Sequence, residues 1–563
     1  MNHALFKKHH KTLTSAVKAI RGRAYWSAYP EIPSGKIYGQ SAKDDGLAAF
    51  KAHLNQTFSL DQPGTEGTVG DEVSPYGLSL GIVYPKANLD ILLPAAQAAI
   101  SSWRDAGIEA RCGICLEILD RLNRRSFEMA NAVMHTTGQG FMMAFQAGGP
   151  HAQDRALEAI AYAYEEMTRT PAEVTWQKQV GKDQFITLRK AFRIVPRGVA
   201  VVIGCSTFPT WNTYPGLFAS LVTGNAVVVK PHHGAILPLA LTVQVAREVL
   251  TEQKLDPNLV TLVANSADSH VTKDLLGRPE VKIVDYTGSS AFGRWIEQNA
   301  TGAQVFTEKA GVNSVILDSA TDLTPVAANL AFTLSLYSGQ MCTTPQNVFI
   351  PKDGITAGGE RLSFDEVARQ IVESVDRLLG DPARAAEILG CIQNEGVLKR
   401  IEEAASAGGA VLRKSEPVAH PNFPEARVRS PLLLQASADQ RELYTHEMFG
   451  PISYLVATEN TAQSIELAAQ IASEQGAITC SVYSTDPAVL QAAEEAAARS
   501  GAALSCNLTG QIFVNQSTAF SDFHVSGVNP AGNATLCDGA FVANRFRIVQ
   551  TRVPVASEAS ATA

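Results

Sequence analysis

"GVAVVIGCSTFPTWNTYPGLFASLVTGNAVVVKP" (residues 198–231) decides the fold. Its two ends, "GVAVVIG" (198–204) and "NAVVVKP" (225–231), are short runs of apolar, mostly β-branched residues. Such runs suit strands covered on both faces, as in a parallel sheet. "NLVTLVA" (258–264), "VKIVDYTG" (281–288) and "AQVFTEK" (303–309) repeat the pattern, and helix-length amphipathic stretches such as "LPLALTVQVAREVLTEQ" (237–253) lie between. Strands alternating with crossover helices predict a doubly wound α/β domain of the Rossmann type. The opening stretch also crowds Cys205, Thr207, Trp211 and Asn212 behind its first strand, which makes Cys205 a first candidate nucleophile.

Toward the N-terminus, residues 92–167 repeat apolar positions at three- and four-residue intervals and predict helices. Residues 173–196 alternate apolar and polar side chains around Gly181-Lys182 and predict a hairpin. The first thirty residues carry no acid, and Leu13, Val17 and Ile20 share a helical face. Transit peptides share that pattern, but a basic surface helix is the expectation. Beyond Ser314, "SVILDSA" and "NVFIPKD" read as strands, and "FDEVARQIVESVDRLLG", "LKRIEEAASAGG" and "AQSIELAAQIASEQ" as helices. The expected division is a helical extension and cofactor domain over 1–310, a catalytic domain over 311–515, and a return segment over 516–563 ending in a disordered tail, "ASEASATA".

A chain of 563 residues exceeds one ordinary core. A net charge of −8 disfavours a general nucleic-acid binder. No apolar run is long enough to span a bilayer, and eight Cys are too few for a disulfide framework, so a cytoplasmic, reducing location is expected. Cys112 and Cys115 form "CGIC" without a second ligand pair, so no metal site is expected.

Four segments carry candidate chemistry. In "FTEKAG" (306–311), Glu308 ends a buried strand, where a carboxylate is either paired or functional. In "SLYSGQMCTTPQNVF" (335–349), Cys342 follows a Gly-Gln pair. In "YTGSSAFGRWI" (286–296), a strand ends at Thr287-Gly288-Ser289 and a helix opens with Gly293, an arrangement that admits phosphate. In "THEMFGPISYLV" (445–456), an acid, an aromatic and a Gly-Pro turn precede a strand.

Taken together and in order, these segments resemble the aldehyde dehydrogenase superfamily over roughly residues 90 to 550. "FTEKAG" stands for its Glu-x-Gly-Gly and "SGQMCTT" for its Gly-Gln-x-Cys, thirty-four positions apart, which matches the spacing of general base and nucleophile. "YTGSSAFG" matches its nucleotide loop, "HEMFGP" its Glu-x-Phe-Gly-Pro, and "TGNAVVVKP" the strand with a ribose-binding Lys. "FSDFHVSGVNPAG" resembles its Phe-Gly-Gly…Ser-Gly loop with the middle glycines missing. The long N-terminal extension, "STFPTWN" and "VANRFRIVQTR" resemble the phenylacetic acid degradation branch, the PaaN type.

The resemblance implies that Cys342 is the nucleophile, in place of Cys205, and that Glu308 activates water against an acyl thioester. It implies cofactor contacts from Lys230, His233, Thr287, Gly288, Ser289, Gly293, Glu447 and Phe449. His233 stands where the family often has Glu or Ser, so the reading favours NADP over NAD. The family's oxyanion Asn counts back to Thr207, and Asn212 lies five residues later; either is a candidate donor. The implied substrate is an aldehyde, and the branch resemblance implies a CoA-linked semialdehyde of aromatic catabolism. A CoA-acylating enzyme and a catalytically silent binding protein are the alternatives. The hairpin and "FRIVQTR" (546–552) imply a homodimer or homotetramer.

Overall fold

The computed structural model describes residues 3–510 and 517–555. The tail "ASEASATA" and the expected boundary at 515/516 lie outside these residues.

The five β-branched runs become the strands Val199–Ile203, Ala226–Lys230, Val260–Leu262, Val281–Gly288 and Gln304–Lys309. They form one sheet in the spatial order third, second, first, fourth, fifth, with every pair parallel. Val201, Val202 and Val227 to Val229 are fully buried, because crossover helices such as Pro209–Val222 and Leu237–Glu252 cover the sheet. The order reverses between the first and fourth strands, so their carboxyl ends border a crevice of the kind that binds ligands in such sheets.

A second, seven-stranded sheet takes its strands from residues 313–506. All its pairs are parallel except the edge strand Ala410–Arg413. The chain then returns to the first sheet. Lys309 N donates to Ala531 O at 2.6 Å, and Glu308 bridges to Gly532. The return segment therefore lies directly on the strand that carries Glu308.

The hairpin forms as Glu173–Gly181 and Gln184–Pro196. The terminal strand Phe546–Pro554 pairs with Gln184–Pro196 from Phe546↔Pro196 to Pro554↔Leu188. The two expected exposed elements thus make one three-stranded sheet within the chain. Its apolar side chains Val180, Phe185, Ile186 and Val549 remain exposed.

The basic N-terminal stretch is the helix Ala4–Gly22, with Leu13 and Ile20 buried. His9 bonds Glu117 at 2.8 Å, on the neighbouring helix Ile108–Arg124. Cys112 and Cys115 are fully buried in that helix, and burial pushes the Cys112 thiol up to about 12 and that of Cys115 well above its ordinary value. Both act as small core side chains. Among the described residues, no helix is long and apolar enough to cross a membrane.

Candidate active site

Cys342 is presented by a tightly specified turn. After the helix Leu323–Ser335, Tyr337, Ser338 and Gly339 adopt left-handed φ angles of 51°, 48° and 63°. Two non-glycine residues in that region require compensation from their surroundings. The Tyr337 hydroxyl donates to Thr137 O at 2.5 Å, and Ser338 Oγ donates to Leu389 O and Arg429 O at 3.1 and 3.0 Å. Gly339 must be glycine, since a Cβ there would stand 2.3 Å from Gly450 O. Beyond the turn, Asn313 Nδ2 donates to Cys342 O at 2.8 Å and to Thr344 O at 3.1 Å. The Cys342 backbone is fixed on both sides.

Glu308 is completely buried at the end of its strand. Its Oε2 accepts from Asn212 Nδ2 at 2.8 Å, and its Oε1 pairs with His524 Nε2 at 2.9 Å. Cys342 Sγ lies 3.9 Å from the same His524 nitrogen. Burial alone would raise the Glu308 carboxyl; the His524 charge and hydrogen bonds from His524, Cys342 and Asn212 outweigh it and hold it below its ordinary value. Burial pushes the Cys342 thiol well up, and the adjacent Glu308 charge pushes the same way. In this arrangement the thiol proton faces a carboxylate, the acceptor that deprotonation needs.

The two candidate oxyanion donors separate. Pro209 starts the helix Pro209–Val222, so Asn212 falls in its first turn and reaches Glu308. Thr207 stays in the preceding loop; its carbonyl accepts from Gln139 Nε2 at 2.7 Å, and its Oγ1 lies 3.9 Å from Cys205 Sγ. Cys205 donates to Asn212 Oδ1 at 3.5 Å, and burial raises its thiol. Cys205 therefore orients the Asn212 amide so that Nδ2 faces inward. The amide has a second N–H, which leaves it able to serve an oxyanion as well.

The residues expected to hold a dinucleotide lie at the carboxyl end of the first sheet. Lys230 is buried and donates to Pro231 O at 2.6 Å and Asn265 Oδ1 at 2.5 Å; burial lowers its amine to about 8. Thr287 and Gly288 pair in register with Glu308 and Lys309 on the adjacent strand. A Cβ on Gly288 would meet Tyr286 Oη at 2.5 Å, and one on Gly293 would meet Lys309 Cγ at 2.6 Å. Ser289 caps the ten-residue helix Ser290–Asn299, accepting from Phe292 N at 3.4 Å. Lys309 pairs with Glu297 of that helix at 2.7 Å. The His233 ring lies tilted against that of His232, and burial lowers its pKa; nearby Asp71 pulls upward and Lys230 downward.

Glu447 and Phe449 sit on a loop pinned by Gln346, which donates to His446 O and accepts from Met448 N. Burial raises the Glu447 carboxyl to about 7, with Arg400 opposing. Phe449 O accepts from Arg400 Nη1 at 2.5 Å. A helix N-terminus, a buried amine and a carboxyl group suit the pyrophosphate and ribose hydroxyls of a nicotinamide dinucleotide.

A cavity of about 310 Å³ leads to Cys342, Asn212 and His524. Its walls are apolar, formed by Phe208, Trp211, Phe332, Leu336, Met341 and Ile388. His151 and Glu387 add polar groups, and none of the described lining residues is Lys or Arg.

Sequence reasoning missed His524, although it quoted the loop that carries it. Glu308, Cys342 and His524 offer ligand-type atoms within 4.8 Å of one another. The available signal was a histidine in a loop where the family pattern has glycines. It also missed Asn313 and Gln340, whose amides fix the nucleophile turn; Gln340 Nε2 donates to Cys391 O at 2.9 Å.

Residues 84–535 match the family model described as aldehyde dehydrogenase family. The structure superposes on a crystal structure described as NAD-dependent aldehyde dehydrogenase from Burkholderia multivorans. That match has 58% sequence identity, a TM-score of 0.98, and covers 99% of this chain and 100% of that one. A 1-pyrroline-5-carboxylate dehydrogenase from Geobacillus thermodenitrificans is 23% identical over 459 residues, covering 79% of this chain and 82% of the relative. The same fold occurs in an NADP-dependent glyceraldehyde-3-phosphate dehydrogenase from Bacillus halodurans. There the TM-score is 0.66 and identity 18%, over 87% of this chain and 96% of that one.

Proposed function

The chain belongs to the aldehyde dehydrogenase family and is an oxidoreductase acting on aldehydes; on that premise we propose that it converts an aldehyde to a carboxylic acid through a thiohemiacetal and a thioester on Cys342. The observation that carries this reading is that Cys342 and Asn212 line one apolar cavity while the buried Glu308 bonds Asn212 and faces the Cys342 thiol from behind them.

Cys342 gives its proton toward Glu308, and its sulfur adds to the aldehyde carbon. The backbone N–H of Cys342 and the Asn212 amide are placed to meet the oxygen that becomes negative, which stabilises the tetrahedral adduct. A nicotinamide dinucleotide, when bound, accepts hydride from that carbon. Glu308, having passed the thiol proton on to solvent, then takes a proton from water as the water attacks the thioester, and the acid leaves as the C–S bond to Cys342 breaks. Lys230 and Glu447 would hold the dinucleotide's ribose hydroxyls, and the Thr287–Gly293 turn would receive its pyrophosphate.

The lining argues about the substrate. A charged head group near the reacting carbon would need a cation; the described walls supply no Lys or Arg, and the two imidazoles among them, His524 and His151, are already paired with Glu308 and Glu31. This favours an aldehyde with an apolar, uncharged body over one bearing a carboxylate, such as the substrate named for the Geobacillus relative. A CoA-linked semialdehyde of phenylacetate or related aromatic catabolism fits with its acyl end in the apolar cavity. On the cofactor, His233 removes the carboxylate that would repel a 2′-phosphate, but burial keeps it neutral near pH 7. NAD and NADP are therefore both accepted, with preference for NADP growing as pH falls and His233 gains charge. A cytoplasmic location and assembly through the exposed hairpin sheet complete the reading.

The test is reduction of NAD and NADP followed by absorbance over a panel of aldehydes. The panel includes aliphatic and arylalkyl aldehydes, a CoA-linked semialdehyde and 1-pyrroline-5-carboxylate, each with and without free CoA. Apolar and CoA-linked aldehydes should turn over without added CoA. Absence of turnover with every aldehyde, in protein that binds the cofactor, would sink the reading.

A further inference from the structure

We propose that His524 is a positioning residue of this reaction: it holds Glu308 against Cys342 and supplies the charge that lets a thiolate form in a buried site. The proposal rests on the assignment of Cys342 as nucleophile.

His524 is almost fully buried, and both ring nitrogens have partners. Nε2 meets Glu308 Oε1 at 2.9 Å, and Nδ1 meets Ser517 Oγ at 3.1 Å. A hydroxyl can accept as well as donate, so the pocket accommodates a ring protonated on both nitrogens. The Trp211 ring packs edge-on against the imidazole at 4.7 Å and blocks rotation. The other polar groups facing the cluster are Cys205 and Asn212 from residues 205–212, Cys342 from its turn, and Arg155, stacked 5.0 Å from the Trp211 ring. Lys309, next along the strand, is turned away to Glu297.

The step balances without another reactant. The Cys342 S–H bond breaks, its electron pair stays on sulfur, and an O–H bond forms on Glu308. Negative charge moves from carboxylate to thiolate, and in both states it lies beside the same imidazole. Without that ring, two acidic groups would share one dry pocket, and both would be driven toward their protonated forms.

The fold spends structure on holding this ring. Phe520 and Val525 take left-handed φ angles of 67° and 61°, which non-glycine residues adopt only when held. Phe520 N donates to buried Glu158 at 3.0 Å, Trp26 packs edge-on against Phe520 at 4.8 Å, and Arg23 lies 3.9 Å from the Phe523 ring centroid. Arg23 and Trp26 precede the region that matches the family model. The N-terminal extension thus clamps the loop that carries His524.

The decisive experiment is the pH profile of iodoacetamide alkylation at Cys342, read by peptide mass, in wild type, His524→Gln and His524→Phe. The Phe variant should shift the profile upward by about one pH unit or more, which at neutral pH is roughly a tenfold slower rate. The Gln variant keeps an N–H donor without the charge and should fall between. Wild-type profiles in both variants, or a uniform loss at every pH, would overturn the proposal. Should the His524 variants fail to fold, Ser517→Ala keeps the ring and should shift the profile in the same direction; no shift there counts against it. Alkylation needs no substrate, so a wild type that alkylates with the expected profile but oxidises no aldehyde would strike the proposed function and leave this inference standing.

Discussion

Glu308 and Glu447 come from different parts of the chain, and their surroundings treat them in opposite ways. Both are withdrawn from water, which disfavours a carboxylate's charged form. At Glu447 little answers that cost. Arg400 opposes it from a distance while bonding Phe449 O, and the carboxyl is held up to about 7. At Glu308, deeper still, three donors converge and the carboxyl falls below its ordinary value. Burial sets the direction only where partners are missing. One carboxylate is thereby kept ionised, and the other can gain or lose its proton near neutrality.

The comparison is broken most severely at Glu308. Glu308→Gln keeps the shape and removes the base, and aldehyde oxidation should slow by about 10²- to 10⁴-fold. Cofactor binding, followed by nicotinamide fluorescence, should not change. Near wild-type turnover would make this carboxylate merely structural.

Asn212→Ala removes one of the three donors and the proposed oxyanion contact together. A kcat loss of about 10²- to 10³-fold is expected. The acid limb of kcat/KM should also move upward, because Glu308 loses a bond that favours its charged form. A kcat loss without that movement would separate the two roles of Asn212.

Glu447→Gln should have the smallest effect and a distinctive pH dependence. Wild-type Glu447 is charged only above about 7, so its hold on the ribose should tighten as pH rises through that value. The variant's KM for the cofactor should lack this trend. Stability follows the opposite sign. A carboxyl whose folded value lies above its unfolded one stabilises fully below the ordinary 4.5 and loses that contribution as pH rises through about 7. Differential calorimetry should find the Gln variant more stable than wild type near about pH 8, by about 1–2 kcal/mol after solvent screening, and equal near about pH 4. For Glu308 the sign reverses: its contribution is full above 4.5 and is lost as pH falls below that range.

The contrast also marks what could be read in advance. The first sheet was legible because "GVAVVIG" and "NAVVVKP" carry branched apolar side chains on both faces, and only burial on both sides suits them. Cys342 and Glu308 were legible through two motifs at a recognisable spacing. Their electrostatics were not. Asn212 reaches Glu308 because the helix starts at Pro209, a boundary too fine for composition to fix. His524 follows Glu308 by 216 positions, in a loop without periodicity whose shape depends on contacts from Glu158 and Trp26. Partners set by long-range packing leave no local pattern, and here they decide which carboxylate is charged. His233 shows the same limit: its residue type suggested an anion partner, and its burial lowers the charge that would make it one.

The central claim is that Cys342 carries the acyl group and Glu308 releases it. Intact-protein and peptide mass spectrometry of the Glu308→Gln variant, quenched after mixing with aldehyde and oxidised cofactor, addresses it directly. The account predicts an adduct on Cys342 with the aldehyde's mass less two hydrogens, formed more slowly than in wild type because Glu308 no longer takes the thiol proton, and persisting because hydrolysis is slower still. An adduct on Cys205, or none anywhere while reduced cofactor forms, would contradict it.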